Sequence, residues 1–250
     1  MTLYQFPELF LLKGEDYVIN SQITIHHPTL DEISKYDEEQ YWSFVQSLCA
    51  VPIDYQVQLY DMGIDYSKIS EMDFFALMAQ NITIDQSRIL FGDKINFSEM
   101  TLVVQRDTQE PALINYKTGL IIDKVIYTLM TEFVRKIHGL RKNQEHAKNE
   151  ITRIAMIEEA RRFQELQARK YEKEGFKSLL APYVSAVTNS AESSYDIFSI
   201  WKLPIYTLID SVKRINKIRT SGYMLQGAYN GWVDGSKFNK KDLNWLGELD

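Results

Sequence analysis

The spacing of apolar positions changes several times along this chain, and each change marks an element. Short apolar runs at 9–12 and 17–25 flank the turn Lys13-Gly14-Glu15-Asp16 and predict two short strands. Thr29 followed by Glu32 makes a capping box, so a short helix is expected from Leu30. Asp37 is placed to cap a second helix, on which Tyr41, Val45, Leu48 and Cys49 share one face. Pro52 suits the first position of a helix over 53–62, with Gly63 as its end. Ser70 is placed to cap 71–80, which turns Met72, Phe75 and Met78 inward. Residues 1–84 therefore read as a small α+β region.

Residues 85–122 read as a β-hairpin insertion, with its β part over 88–122. The run 89–97 folds around Gly92-Asp93 as a two-residue hairpin. A second strand pair is expected at 100–106 and 112–116, followed by a turn at Lys117-Thr118-Gly119. Residues 123–250 read as a helical region with an aromatic C-terminal tail. Asp123 caps a helix whose stripe is Ile126, Leu129, Met130, Phe133 and Ile137, and Gly139 ends it. A short helix at 179–187 has Pro182 in its first turn. A polar link follows at 189–194, then another short helix at 195–201. The last long helix starts at Pro204 with the stripe Ile205, Leu208, Ile209, Val212 and Ile215, and an Asp210–Arg214 pair is expected on its wet side. The fold class is mainly α (α+β), with a small N-terminal β element, an inserted hairpin region and one long charged helix.

That long helix is predicted over 141–174, and its pattern is unusual. Ile151, Ile154, Ile157, Ala160, Phe163 and Leu166 recur every third position. An α-helix advances about 100° per residue, so each three-residue step falls about 60° short of a full turn. The apolar stripe therefore winds around the rod, where an ordinary surface helix keeps it on one side. Such a helix should meet different neighbours at different heights. In the tail, Tyr223, Tyr229, Trp232, Phe238 and Trp245 are too many rings to leave in water, so the tail should pack back or cover a partner. The expected partner-binding residues are Ile151, Ile154, Ile157, Phe163, Leu166, Tyr229, Trp232, Phe238 and Trp245.

The chain is 45% hydrophobic and 25% charged, an ordinary globular balance. No apolar run reaches the length of a membrane span, and residues 1–8 lack the pattern of a signal peptide. Cys49 is the single cysteine, which excludes an internal disulfide and fits a buried small hydrophobe in a reducing setting. The net charge of −6 hides an asymmetry: residues 1–80 hold thirteen acidic and three basic side chains, so the remainder is net positive. Such a polarity suits head-to-tail association or docking on a charged partner, and also fits two solvated surfaces of unrelated composition.

Candidate chemistry is sparse. His26 and His27 are adjacent and point to opposite sides of an extended chain, so they do not share a metal. His138 and His146 are eight apart with Gly139 between them, and neither pair has zinc spacing. Asp37-Glu38-Glu39 is the acidic first turn of a helix. The phosphate-loop, dinucleotide, nucleophile-elbow and zincin motifs are absent. The expectation is a non-enzyme with no catalytic residue, cofactor or metal. Lys213, Arg214, Lys217 and Arg219 form a basic helix side that would suit nucleic acid, but the acidic whole disfavours it.

Three stretches taken together resemble a known group: Ile25-His-His-Pro-Thr-Leu-Asp-Glu-Ile33, Trp201-Lys-Leu-Pro-Ile-Tyr-Thr-Leu-Ile-Asp-Ser-Val-Lys-Arg-Ile215, and Gly227-Ala-Tyr-Asn-Gly-Trp-Val-Asp234 running to Leu243-Asn-Trp245. The order is similar to proteins encoded among the tail genes of bacteriophages of Gram-positive hosts, tail assembly chaperones in particular. The likeness covers most of the chain and consists of packing and capping patterns. It implies a phage tail-morphogenesis protein in the host cytoplasm, or in the virion if structural. The partners it implies are phage tail proteins, the tape measure and the tail tube, with no membrane; the oligomeric state stays open.

Overall fold

The computed structural model describes residues 6–249. Residues 1–5, part of the stretch read as lacking a signal peptide, and Asp250, the end of the aromatic tail, lie outside the described residues. The described chain is mainly α, with eleven α-helices and two small sheets.

Helix α1 (Glu8–Lys13) stands where a strand was expected. Gly14 explains the difference: at φ 70° its amide closes the helix on the carbonyls of Leu11 and Phe10. A glycine with positive φ serves a helix end as well as a hairpin turn. Strands β1 (Tyr17–Val18) and β2 (Thr24–Ile25) then pair antiparallel. The Thr29–Glu32 capping box starts α2 (Leu30–Tyr36) as expected. Asp37 caps α3 (Glu38–Cys49) by accepting from the Gln40 amide. Asp37 adopts φ 107°, a strained conformation for a residue that ends one helix and begins the next. A 3₁₀ turn at Pro52–Tyr55 leads into α4 (Gln56–Asp61), and Ser70 caps α5 (Glu71–Ala79).

The hairpin expected at Gly92-Asp93 is absent among the described residues. Thr83 and Gln86 form a second capping box, which starts α6 (Ile84–Phe91), and Gly92 ends it. The apolar residues Ile89 to Phe91 are thus the last turn of a helix. The sheet begins later, as β3 (Thr101–Val104), β4 (Pro111–Asn115) and β5 (Leu120–Ile122), antiparallel in that order. Here the expected strand pair and the turn at Lys117-Thr118-Gly119 are borne out.

Asp123 caps α7 (Lys124–Ile137) through the Ile126 amide. The charged helix α8 (Glu150–Glu174) starts nine residues later than expected, with Asn149 accepting from Thr152 as its cap. Residues 141–149 are held elsewhere: Lys142 pairs with Glu71 at 2.6 Å and Asn143 donates to Asp54 at 3.1 Å. Such side-chain bonds compete with helix formation. Gly175 ends α8 as expected. Helix α9 (Leu180–Thr188), a 3₁₀ turn at Ile200–Lys202, α10 (Ile205–Tyr229) and α11 (Lys240–Leu243) complete the chain. The helix expected at 195–201 is reduced to turns and that 3₁₀ piece.

One large core runs through most of these elements, from Leu11 and Ile33 through Phe75 and Phe97 to Val187 and Leu208. The α7 stripe supplies its centre, because Met130, Phe133, Val134 and Ile137 are fully covered. Two stretches far apart in sequence meet as a short bridge: the Leu30 amide donates to the Leu203 carbonyl and the Ile205 amide to the Pro28 carbonyl, each at 3.0 Å. A second, smaller core lies under α4 and α5, where Val57, Leu59, Tyr66 and Phe74 surround Ile157 of α8.

Glu38 fastens α9 to α3. Its Oε1 accepts from the amides of Leu179 and Leu180 at 2.8 and 2.9 Å, and its Oε2 accepts from the Ser178 hydroxyl at 2.5 Å. A carboxylate from another helix thus satisfies the amides of Leu179 and Leu180, while the local Ser178 hydroxyl accepts from the Ala181 amide at 2.8 Å. Replacing Glu38 with alanine is expected to cost about 1–3 kcal/mol, since those partly buried donors lose a charged acceptor. Urea unfolding of Glu38→Ala against the parent measures this, and a change under about 0.5 kcal/mol would show that water substitutes freely.

Candidate interaction surface

Helix α8 docks along a line that its apolar pattern does not mark. Arg153 reaches Asp65 at 3.0 Å, Ile157 plugs the small core, and Arg161 grips Asp61 with both guanidinium nitrogens. Gln164 meets Gln58 at 3.4 Å, and the Tyr171 hydroxyl donates to Glu39 at 2.6 Å. Spacings of four, four, three and seven residues keep these groups on one side of an α-helix. Arg161 holds the Asp61 carboxyl below its usual range through that hydrogen bond. These contacts are mostly exposed, so each adds little on its own.

The winding apolar series accordingly leaves the docked side. Ile157 is buried against the chain's own core and is withdrawn from any partner. Ile151 is 82% exposed, Phe163 61% and Leu166 62%, while Ile154 is just over the edge of cover. Helix α8 thus meets different neighbours at different heights, Asp65, then Asp61 and Gln58 of α4, then Glu39 of α3. Of the winding apolar series, only Ile157 and the partly buried Ala160 face the chain's own core.

The C-terminal tail folds back onto α10 and leaves most of its rings outside. Arg214 donates to the carbonyls of Trp245 and Gly247, at 2.5 and 2.9 Å, instead of meeting Asp210. Asp210 itself is half-buried, and burial raises its carboxyl above the usual range against the pull of Arg214. The Ser221 hydroxyl donates to the Asp242 carbonyl at 2.6 Å, and Lys217 donates to that of Glu248. Yet Tyr229 is 87% exposed and Trp232 77%, Tyr223 and Trp245 are also exposed, and Phe238 is half-buried. The surface so built is aromatic, polar-tipped and backed by a long helix, which suits contact with another protein.

The same folding-back occupies the basic side of α10. Arg214 and Lys217 hold tail carbonyls, and Arg219 pairs with Glu192 at 3.1 Å, an interaction that pulls the Glu192 carboxyl well below its usual range. Glu192 offsets the charge of Arg219, while Arg214 and Lys217 keep theirs but have donors taken up by tail carbonyls.

His26, His27 and His138 have structural roles. His26 bridges Asp16 at 2.7 Å and Glu32 at 3.1 Å. His27 faces the opposite way, buried edge-on to Phe133, as alternation along extended chain requires. His138 is buried: its Nδ1 donates to the Val134 carbonyl at 2.6 Å, and its Nε2 accepts from the Tyr41 hydroxyl. His146 is exposed. Cys49 is buried, and burial pushes its thiol up to about 12, a poor setting for a nucleophile.

Residue-by-residue reasoning missed Glu38, Arg153 and Arg161 as fasteners. A signal for the arginines existed: 153, 157, 161, 164, 168 and 171 keep helical spacing, with Arg and Gln in place of apolar residues. For Glu38 there was none, because its partners lie about 140 positions away.

Residues 172–250 match the family model described as YomV second domain, a phage-derived family. The match begins in the last turn of α8 and takes in α9, α10 and the aromatic tail. It spans about a third of the chain and supports a phage protein at that coarse level. No curated protein and no solved structure matches the chain. No helix among the described residues is long and apolar enough to cross a membrane.

Proposed function

We propose that this chain is a phage tail-morphogenesis protein that works by binding other proteins, in the manner of a tail assembly chaperone. The observation that carries the reading is the set of exposed rings Tyr223, Tyr229, Trp232 and Trp245, all inside the segment similar to a phage-derived family. Rings of this size left in water are a cost that a partner would remove. The reading assigns the tail surface to binding and assigns no catalytic step, metal or cofactor to the chain. It places the protein in the host cytoplasm during assembly, with the tape measure or tail tube as partner.

Co-expression with the tape-measure and tail-tube proteins of its own phage, followed by size-exclusion chromatography, tests this. A co-eluting complex that is weakened at least about tenfold by Trp232→Ala, as expected of an aromatic anchor, supports the reading. Failure to co-elute with either protein at micromolar concentration overturns it. Mass spectrometry of purified particles then separates a chaperone, absent from finished phage, from a structural component of tail, baseplate or connector.

A further inference from the structure

The outward side of α8 carries a second pattern, distinct from the aromatic tail. Opposite the docked line, within about 40° of one generator of the helix, lie Ala155, Glu159, Phe163, Leu166, Lys170 and Lys173. All six are exposed. The two large apolar side chains sit in the middle, with acid toward the N-terminal end and base toward the C-terminal end. Charges on the flanks are matched along the helix, Arg162 with Glu158 at 3.7 Å and Arg169 with Glu165 at 4.0 Å. On the stripe itself, Lys170 acts on Glu174 through charge alone, with no ion-pair contact between them, and Glu159 forms no ion pair among the described residues. A groove of about 520 Å³ opens beside the stripe, between Phe163 and Leu166 on one side and Met156, Ala160 and Gln56 on the other.

We infer that α8 is a self-association surface, on which a second copy of the chain docks its own α8 antiparallel. A two-fold axis between Gln164 and Glu165 sets Phe163 against Leu166 of the second copy, and Leu166 against its Phe163. The same axis brings Glu159 opposite Lys170 of the second copy, twice over by symmetry. Isologous contacts of this kind need a self-complementary patch, and a stripe with acid, grease and base in that order is one. The parallel arrangement sets Glu159 against Glu159 and Lys170 against Lys170, so like charges select against it. The groove beside Phe163 gives the opposing ring a seat. One helix pair is a small interface, which places the dimer in the weak class.

Sedimentation equilibrium of the full chain in low salt, over about 1–500 µM, reads the association directly. The expected result is a reversible dimer. Leu166→Glu abolishes it within that range, since a charge then faces the second copy's Phe163. Glu159→Lys and Lys170→Glu each weaken it about tenfold, because each places two like-charge contacts in the pair. Glu159→Lys combined with Lys170→Glu restores it to within about threefold of the parent. All these positions are exposed, so circular dichroism spectra should superimpose and fold loss does not confuse the reading. A parent that stays monomeric at the highest concentration overturns the inference. A dimer indifferent to Leu166→Glu also overturns it, as does a doubly swapped chain no tighter than the single swaps. A complex with tail proteins that survives Leu166→Glu keeps this inference separate from the role given to the aromatic tail.

Discussion

Replacing Phe133 with alanine should destabilise the fold by about 3–5 kcal/mol, the usual range for emptying a buried ring position. Phe133 has no exposed surface and stands at the meeting point of three segments. Tyr17 stacks on it with centroids 4.9 Å apart, Phe6 and Phe10 approach edge-on at 5.3 and 6.4 Å, and His27 at 6.2 Å. Each such ring pair adds about 0.5–1.5 kcal/mol beyond burial. Truncation removes them together and leaves a void between α1, the β1–β2 pair and α7, which a close-packed interior refills poorly. Single domains hold about 5–15 kcal/mol in all, so the variant should lie near its unfolding threshold. Phe133→Leu keeps most of the volume and should lose less than Phe133→Ala. Urea midpoints for the three proteins provide the check. A Phe133→Ala loss below about 1.5 kcal/mol would deny the ring its central place.

Acid should weaken the fold well before carboxylates titrate. His27 and His138 are buried, and burial lowers both from 6.5 to about 4. The neighbouring His26 adds to the shift at His27 against the pull of Asp16, and the charge of His27 adds to it at His138 against the Val134 carbonyl. The folded chain therefore keeps both rings neutral while the unfolded chain takes up protons below about 6.5. Stability from this source is complete above pH 6.5. It falls as pH drops toward 4, by roughly 3 kcal/mol for each ring at about 1.4 kcal/mol per pKa unit. His26 works the other way. Burial opposes its proton, but hydrogen bonds and charge from Asp16 and Glu32 outweigh that and raise its pKa, so its contribution is present below 6.5 and lost as pH rises through the raised value. With two rings against one partly exposed ring, the net effect is loss on acidification. Thermal melts between pH 7.5 and 5 measure it, ahead of most carboxylates. His138→Gln should flatten the slope; a midpoint that stays level over that interval in the parent would refute the account.

Features set by neighbours in sequence were legible from the chain. The caps at Thr29, Asp37, Ser70 and Asp123 depend on a side chain and an amide three residues on, and all four form. The β3–β4 pairing followed from alternation and a turn, both local. The two strands misread at 9–12 and 89–97 share one cause. Gly14 and Gly92 have positive φ, which ends a helix and turns a hairpin with equal ease, and the flanking apolar runs were too short to decide. The surface of α8 was half legible. The apolar winding was visible, but the docked line is written in Arg, Gln and Tyr, whose partners Asp65, Asp61, Gln58 and Glu39 lie about a hundred residues away. Arg214 went to carbonyls of the tail for the same reason: the tail's return path is a tertiary fact.

The way α8 is moored has a mechanical consequence. Swinging it outward uncovers Ile157 and the small core of Val57, Leu59, Tyr66 and Phe74 around it, whereas prising α7 loose would strip seven covered side chains from the main interior. Beyond the packing of Met156 and Ala160, its remaining ties are ionic and wet, and dissolved ions loosen ties of that sort while leaving oily contacts intact. A twenty-five-residue lever can therefore detach and re-seat at the expense of the small core alone, while the large core stays shut.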